Sequence, residues 1–507
     1  MKRQSKYLLF FVYLLFIFPC LTAQNTITIN GKAYDVEVTE NQNVGNAAVY
    51  KRLHIPAFPL YVSVLEIDIT ASDIKIEAWS GKDLTQGKEH PQDVANRKTT
   101  ENHRVLAAIN GDFFGSTPCG GEMILGELSQ KVVSPEFCAD GPDCAPHIAF
   151  DAHSKPVMDV MRFVPFVKLP TGETYNITAF NSTRWEHNLI LYNAFSGKTK
   201  TETNEWGVEY LVSPENGLWM PDINGDIKCK VEKIRPIYPG EGALEKMDIE
   251  RGKVVLSGHG FARDFLEKVG KNDEIFINWG VIMDNNPQMK SVENLIGGNM
   301  LILQNGVPAP PGTEDRERLR HPRTSVGYNN DRTKVYFVVA DGRQTGVTVG
   351  VSTRELADIM SFAGADNAIN IDGGGSSCMV VDGVIKNTPS EKRNVINGLL
   401  LAEILSPPND TKVIPKTSPS DINMNVYHNT ANAKLSFSIK PKKNIKSLII
   451  SVYDANGKKI KEVCKDKNLK QEHIYTYSCE TGTWTQGTYL YEAIQDNKRF
   501  CGKLILN

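Results

Sequence analysis

The sequence predicts a strand-rich α+β domain followed by a small C-terminal β-sandwich. Between residues 60 and 405, short runs of β-branched and aromatic residues alternate with turn signals. One clear helix signal interrupts these runs at residues 352–365. A proline-rich stretch then separates them from a tail of alternating strands. The length of 507 residues is enough for two or three such units.

The first 23 residues are predicted to be a secretory signal peptide. They start with basic residues, continue with an apolar run and end in small residues, with cleavage expected near Ala23. A retained membrane anchor is the alternative. No later run reaches the roughly 18 apolar residues that a spanning helix needs, so no transmembrane helix is expected in the mature chain. The formal net charge of −2 gives no basic footprint for a nucleic-acid partner.

Cysteine usage fits an exported chain. Without the cysteine of the signal peptide, eight remain, which is an even number and favours disulfides. Cys119, Cys138 and Cys144 lie close together in a loop-like stretch, and Cys464 and Cys479 flank a hairpin-length segment. No CxxC or HxxxH spacing accompanies them, so we expect disulfides in preference to a zinc site.

The first domain is expected to cover residues 24–405, with more strand than helix. Its clearest strand signals are "YVSVLEIDI" at 61–69 and "VYFVVA" at 335–340. The helix signal is "STRELADIMSFAGA", in which Ser352 and Glu355 form a capping box ahead of an apolar stripe that ends at a glycine.

The end of the chain is predicted to form a separate β-domain. Residues 406–425 are rich in proline and small polar residues and are expected to be a linker. Residues 426–507 contain alternating strands that fit a small β-sandwich. The pair Asn456-Gly457 between two of these runs predicts a hairpin.

Three apolar strands of the first domain end in polar residues spaced two apart. They are "VLAAINGDFFG", "VYFVVADGR" and "NAINIDGGGSS". Side chains two apart on a strand point to the same face, so each strand end would present two polar groups side by side. The pairs are Asn110 with Asp112, Asp341 with Arg343, and Asn370 with Asp372.

The last of these strand ends continues into three glycines and two serines, Gly373, Gly374, Gly375, Ser376 and Ser377. Glycines allow close approach of a ligand, and successive backbone N–H groups can form an anion-binding nest. The serines would add hydroxyl donors. A tight turn that binds nothing is the alternative. No GK[ST] follows, and "CMVVDGVI" predicts a hairpin, so this is not a Walker P-loop.

Two further candidates precede the strand at 335–340. Arg323, in "RLRHPRTSVGY", is expected to hold a phosphate, because its planar guanidinium can pair with two oxygens at once. His321 is a candidate acid, base or ligand contact, against the alternative of a structural histidine. His259, between two glycines in "VLSGHGFA", is a similar candidate.

Four motifs in order resemble those of the phosphodiester glycosidases: "AAINGDFF", "HPRTSVG", "VVADGR" and "NAINIDGGGSSCMVVDGVIKNTPSEKR". With weaker matches between them, the resemblance covers roughly residues 60 to 405. The tail, with "VYDANGKKIKEV" and "GTYLYEAIQDNKRFCGKLILN", resembles the C-terminal sorting domain of the type IX secretion system. The resemblance implies an exported protein that crosses the periplasm of a Gram-negative bacterium and is secreted or held at the cell surface.

The implied reaction is hydrolysis of a sugar-1-phosphodiester at its glycosidic bond, giving a free sugar and a phosphomonoester. Phosphate is a good leaving group, so it needs charge neutralisation more than protonation. A carboxylate then meets the oxocarbenium-like centre as nucleophile or as base for water, and the residues leave open whether Asp112 or Asp372 does so. The expected catalytic residues are Asp112, Asp372, Asp341, Arg323 and Arg343. The expected substrate contacts are Asn110, Asn370, Gly373, Gly374, Gly375, Ser376, Ser377 and His321.

No cofactor is expected for this reaction. The first alternative is a metal-dependent phosphodiesterase with a divalent ion on Asp112, Asp341 and Asp372. The second is a cell-surface protein that binds glycans without turnover. The expected partners are therefore a glycan or sugar-phosphodiester substrate and, through the tail, the secretion machinery.

Overall fold

The computed structural model describes residues 26–404 and 422–506 with short gaps. The predicted signal peptide, most of the predicted linker and the Asn456-Gly457 pair lie outside the described residues. The gaps are residues 72, 101–102, 134–143, 203, 216, 218, 220–224, 236–245, 287–290, 430–433, 455–458, 472, 482–483, 485–486 and 497.

Sheet A is the larger of two sheets that position the candidate site. Its strands are rich in valine and isoleucine, and they pair antiparallel throughout. In sheet order they are Val307–Pro308, Met300–Gln304, Asn367–Ile371, Arg323–Tyr328, Lys334–Ala340, Leu60–Asp68, Ala48–Ile55 and Glu37–Val44.

Sheet B packs face to face on sheet A. In order, its strands are Val384–Ile385, Met379–Val381, His103–Asn110, Asn397–Ile404 and Ile74–Ser80. The shared core contains Leu65, Val339 and Ile369 from sheet A with Ile109 and Leu399 from sheet B, all fully buried. Side chains alternate between the two faces of each strand, so the opposite faces need covers of their own.

Two helices cover those outer faces. Thr353–Ala363 packs Leu356, Ile359 and Met360 on sheet A. Its capping box at Ser352 and Glu355 and its left-handed glycine at 364 confirm the helix prediction. Pro91–Lys98 covers sheet B, and the sequence analysis did not single it out. The short helices Phe261–Leu266 and Asp315–Arg318 lie in connections.

Residues 122–297 add two more sheets that share one core. Sheet C consists of Val281–Met283, Pro156–Phe163, Cys144–Phe150, Asn294–Gly297, Glu122–Ile124 and Glu127–Gln130. Sheet D consists of Thr174–Asn176, Phe166–Lys168, Glu274–Asn278, Ile227–Arg235, Gly207–Pro214, Val254–His259, Leu189–Tyr192 and Ala179–Phe180. A two-stranded ribbon, Thr26–Ile29 with Lys32–Asp35, lies against the helix Thr353–Ala363.

The C-terminal part forms two sheets around its own core, as predicted. One sheet contains Ile422–Asn429, Lys434–Pro441 and Tyr475–Glu480. The other contains Lys459–Leu469, Ile445–Asp454, Gly487–Gln495 and Lys498–Leu506. The strand-rich α+β class with a C-terminal β-sandwich is therefore confirmed. Within the described part of the chain, none of the helices combines the length and apolarity needed to cross a bilayer.

Candidate active site

The ends of two strands from different sheets meet at the candidate site. Asn367–Ile371 in sheet A leads into Asp372, and His103–Asn110 in sheet B leads into Gly111 and Asp112. The backbone N–H of Asp372 donates to the carbonyl of Gly111 at 2.9 Å. This contact places the two predicted aspartates on adjacent loops at one edge of the sandwich.

A cavity of about 480 Å³ opens at this edge. Asp372, one of the residues predicted from the sequence to be catalytic, is part of the cavity wall. Asp112, another of them, is not. The lining residues are Lys88, Phe113, Phe114, Cys119, Asp372, Arg393 and Asn394. A cavity with aromatic walls, cations and one carboxylate suits a sugar that carries an anionic group.

Asp372 is held in place at the mouth of this cavity. Its Oδ1 accepts the N–H of Gly373 at 2.8 Å. Burial raises the pKa of Asp372 to about 6, although the Ser376 hydroxyl, the Gly373 N–H and the charges of Arg393 and Arg343 oppose this shift. The carboxyl is therefore mostly ionised at neutral pH, with two arginines close to its charge.

The Arg343 guanidinium lies against the glycine turn. Gly374 has a φ of +61°, and a Cβ at this position would lie 3.0 Å from Nη2 of Arg343. Glycine is therefore needed at 374 both for its left-handed conformation and for the close approach of the guanidinium. Arg343 itself has a positive φ of 60°, which is uncommon for a residue with a side chain.

Arg393 reaches the same carboxylate through a serine. Its Nη1 lies 3.4 Å from Oγ of Ser376, and the Ser376 hydroxyl bonds to Asp372. Its Nη2 pairs with Glu391. The sequence analysis quoted Arg393 within the last motif but gave it no role.

Asp112 lies behind the cavity wall with only 1% of its surface exposed. Its Oδ2 accepts the N–H of Gly120 at 2.6 Å, and its Oδ1 is buried without a hydrogen-bond partner among the described residues. Burial raises the pKa of Asp112 to about 8, and the charges of Asp372 and Glu122 add to the rise. Asp112 is therefore protonated at neutral pH while Asp372 is ionised.

A buried polar network holds the backbone of Asp112 in place. Asn397 accepts the backbone N–H of Asp112 at 2.8 Å and donates to Oε1 of Glu122 at 2.9 Å. Glu122 also accepts hydroxyls from Ser80 and Ser129. Burial raises the pKa of Glu122, and the hydrogen bonds from Ser129, Asn397 and Ser80 oppose this shift.

Arg323 is not in the wall of this cavity, and its contacts give the phosphate-binding prediction no support. Its side chain turns away and donates to the carbonyls of Val351, Arg316, Glu317 and Leu319 at 2.6–3.1 Å. It is 4% exposed. These four hydrogen bonds are made by Nε and Nη2, and through them Arg323 ties the loop before its strand to the body of the domain.

Asp341 is also occupied within the protein. Its Oδ2 pairs with Arg52, and its Oδ1 accepts from Asn387 at 3.2 Å and from the Thr388 N–H at 3.1 Å. Asp341 therefore anchors the loop that follows the Val384–Ile385 strand. The metal alternative needs Asp112, Asp341 and Asp372 as one ligand set, and the described residues contain no metal-ligand group of three acids, histidines or cysteines.

The two predicted asparagines point into the protein. Asn110 is fully buried, donates to the Asp372 carbonyl at 2.7 Å and accepts from Thr324 at 2.8 Å. Asn370 donates to Oδ1 of Asn299 at 2.6 Å, and its own Oδ1 is buried without a partner in the described part of the chain. The Asn110 contacts connect the two sheets, the Asn370 contact lies within sheet A, and neither asparagine is in the cavity wall.

The glycine turn is mostly closed on itself. The N–H groups of Gly373, Gly374, Ser376 and Ser377 all donate to oxygens of the protein. Gly375 packs so closely on Glu391 that a Cβ would overlap this side chain. The predicted anion nest is therefore not formed by these four groups, and the cations beside the turn are Arg343 and Arg393.

His321 and His259 have different surroundings. The backbone of His321 pairs with Val351, and its half-buried ring lies near Arg323 and Arg343; burial, then these charges, lower its pKa. His259 ends a strand of sheet D and lies near Trp185, outside the candidate site.

Six residues of the cavity wall had no site role in the sequence prediction: Lys88, Phe113, Phe114, Cys119, Arg393 and Asn394. Lys88 donates to the Gly115 carbonyl at 3.0 Å and lies 4.5 Å from the centre of the Phe114 ring. The two phenylalanines stand inside the motif "NGDFFG". Their position directly after Asp112 was an available signal, whereas nothing in the local sequence marks Lys88.

The cysteines follow the disulfide prediction only in part. Cys144 is disulfide-bonded. Cys229, Cys378, Cys464 and Cys479 carry free thiols. Cys138 lies outside the described residues.

Two family models match parts of this chain. Residues 238–402 match the phosphodiester glycosidase family. The matched stretch contains Asp372, Arg343 and Arg393, whereas Asp112 and the two phenylalanines precede it. Residues 425–507 match the secretion system C-terminal sorting domain. The protein is therefore exported and is either secreted or held at the cell surface. No curated protein matches the sequence.

Three solved structures are similar to this chain at low sequence identity. A hypothetical protein from Synechocystis is 15% identical with a TM-score of 0.50, over 72% of this chain and 63% of that one. A putative exported protein from Burkholderia pseudomallei is 20% identical with a TM-score of 0.45, over 68% and 74% of the two chains. The catalytic domain of zebrafish N-acetylglucosamine-1-phosphodiester α-N-acetylglucosaminidase is 12% identical with a TM-score of 0.34, over 74% and 88%.

Proposed function

We propose that this protein is an exported hydrolase that cleaves the glycosidic bond of a sugar-1-phosphodiester. The observation that carries the proposal is the setting of Asp372. An ionised carboxylate lies near Arg343 and Arg393 in a cavity of about 480 Å³ with two phenylalanines in its wall. The match of residues 238–402 to the phosphodiester glycosidases supports the same reaction.

Each group then has one part in the reaction. The apolar face of the sugar lies on Phe113 and Phe114, and Asp372 meets the anomeric carbon as nucleophile or as base for water. Arg343 and Arg393 hold the phosphate oxygens as the C–O bond breaks, because negative charge collects on the leaving phosphate. Asp112 stays protonated behind Asp372, so the site carries only one carboxylate charge beside an anionic substrate.

Oxygen-18 labelling tests which bond is cleaved. We expect hydrolysis of a sugar-1-phosphodiester in H₂¹⁸O to place the label in the sugar, because water replaces the phosphate at the anomeric carbon. Mass spectrometry of both products measures the position of the label. The substrates are glucose, N-acetylglucosamine, mannose and galactose 1-phosphodiesters with a methyl or uridine aglycone.

The other outcomes of this experiment contradict the proposal. Label in the phosphomonoester would mean attack at phosphorus, which is the reaction of a phosphodiesterase. Binding of a substrate without turnover would favour the non-catalytic alternative. The Asp372→Asn variant is the control for contaminating hydrolases, because both preparations pass through the same purification.

The pH dependence should be bell-shaped between about 6 and about 8. Asp372 must be ionised to react, so kcat/KM should fall as the pH drops through the pKa of Asp372, about 6. Asp112 loses its proton as the pH rises through about 8, which adds a second negative charge beside an anionic substrate. Activity should therefore fall again on the alkaline side.

Asp112→Asn separates these two limbs. Asparagine stays neutral at every pH, so the variant should keep the acid limb and most of its activity at pH 7 while the alkaline limb disappears. The measurement is kcat/KM from pH 4.5 to 9.5 for both proteins. If Asp112→Asn loses more than about 100-fold at all pH values, Asp112 transfers a proton itself, and its assignment as a neutral neighbour is wrong.

A further inference from the structure

Sheet D carries a cluster of exposed aromatic side chains far from the candidate active site. Trp185 is 71% exposed, Trp206 is 51% exposed and Phe261 is 64% exposed. The His187 ring stacks on Phe261 with 4.1 Å between ring centres and 13° between planes. Large aromatic groups exposed together mark interaction surfaces. We call Trp185, His187, Trp206 and Phe261 the aromatic platform.

A single buried arginine holds the two tryptophan loops together. Arg184 is 3% exposed; its Nη1 donates to Oγ of Ser257 at 2.7 Å, and its Nη2 donates to Oδ1 of Asn204 at 2.5 Å. Arg184 directly precedes Trp185, and Asn204 accepts the backbone N–H of Trp206 at 3.2 Å. The platform is thus built on fixed backbone positions.

The strand pairing brings the remaining platform residues to the same edge. Gly207, next to Trp206, pairs with His259, and Leu189 pairs with Gly258. The N–H of Phe261 donates to Nδ1 of His187 at 3.2 Å. The other end of the Leu189–Tyr192 strand approaches the loop that leads to Lys88, since the Thr85 N–H bonds the Phe195 carbonyl at 2.9 Å. The platform and the cavity therefore lie at opposite ends of this strand.

The charges around the platform select among possible ligands. Glu186 adjoins Trp185 and Glu205 adjoins Trp206, and both carboxylates are exposed. Of the arginines on these segments, Arg184 is buried and Arg263 pairs with Glu267 at 2.9 Å, while the His187 ring lies 3.9 Å from the Glu186 carboxylate. An anionic membrane or a nucleic acid would be repelled by such a surface. A neutral polymer with apolar faces and many hydroxyls would not.

We propose that the aromatic platform is a second, non-catalytic binding surface for a neutral polysaccharide. The C–H faces of pyranose rings stack on flat aromatic side chains, and carboxylates accept hydrogen bonds from sugar hydroxyls. Two tryptophans on separate loops, each next to a carboxylate, provide two such positions. The surface would keep an exported enzyme on a glycan while its cavity acts elsewhere. This inference does not depend on the reaction proposed for the cavity.

Affinity gel electrophoresis of the full mature chain tests the proposal. The gels contain amylose, hydroxyethylcellulose or no polymer, with alginate as an anionic polymer of similar size. We expect at least one neutral polymer to retard the protein and alginate not to do so. The Trp185→Ala/Trp206→Ala double variant should lose at least about tenfold in affinity, because two stacking positions are removed together.

Matched measurements make each outcome decisive. Phe362→Ala removes another exposed aromatic, on the helix Thr353–Ala363, and should leave retardation unchanged. The double variant should keep its melting temperature and its kcat/KM on a small soluble substrate, so a failure of the catalytic proposal would remain distinguishable. The inference is overturned if no neutral polymer retards the protein or if the double variant binds as well as the parent. It is also overturned if light scattering shows that the parent is a dimer and the double variant a monomer, because the platform would then be a dimer interface.

Discussion

Asp372→Asn is expected to lower kcat by about 10³-fold or more and to leave the protein folded. Asp372, one of the catalytic residues expected from the sequence, supplies the carboxylate of the cavity wall. The neutral amide of asparagine can neither attack the anomeric carbon nor accept a proton from water. The amide oxygen can still accept the Gly373 N–H that Oδ1 accepts at 2.8 Å. The loss should therefore be in chemistry and not in local structure.

Asp331→Asn is the matched control for this variant. Asp331 is an exposed aspartate in the turn between Arg323–Tyr328 and Lys334–Ala340, in the same domain. Single-turnover rates and thermal melting are measured for both variants. Residual activity of Asp372→Asn within tenfold of the parent would remove Asp372 from the proposed mechanism, whereas a melting temperature well below that of Asp331→Asn would make the kinetic result a folding effect.

Arg323→Met should destabilise the protein by on the order of 3 kcal/mol or more. The guanidinium of Arg323 donates to four backbone carbonyls between residues 316 and 351, and methionine donates to none of them. Val351 would keep the His321 N–H and Glu317 the Thr353 hydroxyl, so the loss falls mainly on the Arg316 and Leu319 carbonyls and on the anchoring of their loop. Burial lowers the pKa of Arg323 to about 10, so the side chain remains charged at neutral pH and its bonds are the strong, charge-assisted kind.

Arg343→Met is the companion variant, and its effects should be the reverse. Arg343 is exposed and lies over Gly374 beside Asp372, so its loss should leave the free energy of unfolding nearly unchanged. It should lower kcat/KM on a phosphodiester by about 10-fold to 100-fold and much less on a neutral aryl glycoside of the same sugar. Urea unfolding and kinetics on both substrates measure these effects. A stable, inactive Arg323→Met would restore Arg323 as a phosphate ligand.

Elements with complete local signals were predictable from the sequence. The helix Thr353–Ala363 has its capping box, its apolar stripe and its terminal glycine within 13 residues, 352–364. The turn at Asp382-Gly383 has the positive φ values of 47° and 75° that this pair favours, and a hairpin surrounds it. In such cases the interactions that stabilise the element are between near neighbours, so the local sequence contains them.

The helix Pro91–Lys98 could not be predicted from its local sequence. It is only eight residues long, and its stability depends on Val94 and Ala95 packing against sheet B. Short helices are marginal in water without tertiary contacts. The local signal was therefore too weak for a prediction, even though His90 accepts the Gln92 N–H at its start.

By itself, the sequence determined that polar groups follow three strands, that a glycine-rich segment follows Asp372, and that a β-domain resembling a sorting domain lies after the proline-rich stretch. Only the tertiary structure decided which polar groups face the cavity. Asp372 and Arg393 do so, with Arg343 beside the Asp372 carboxylate and against Gly374, whereas Arg323 and Asp341 bind the protein itself. The physical reason is that a side chain's direction and hydration depend on contacts between segments far apart in the chain. Asp112 and Asp372 carry the same carboxyl group, yet their different surroundings raise its pKa to about 8 in one and about 6 in the other.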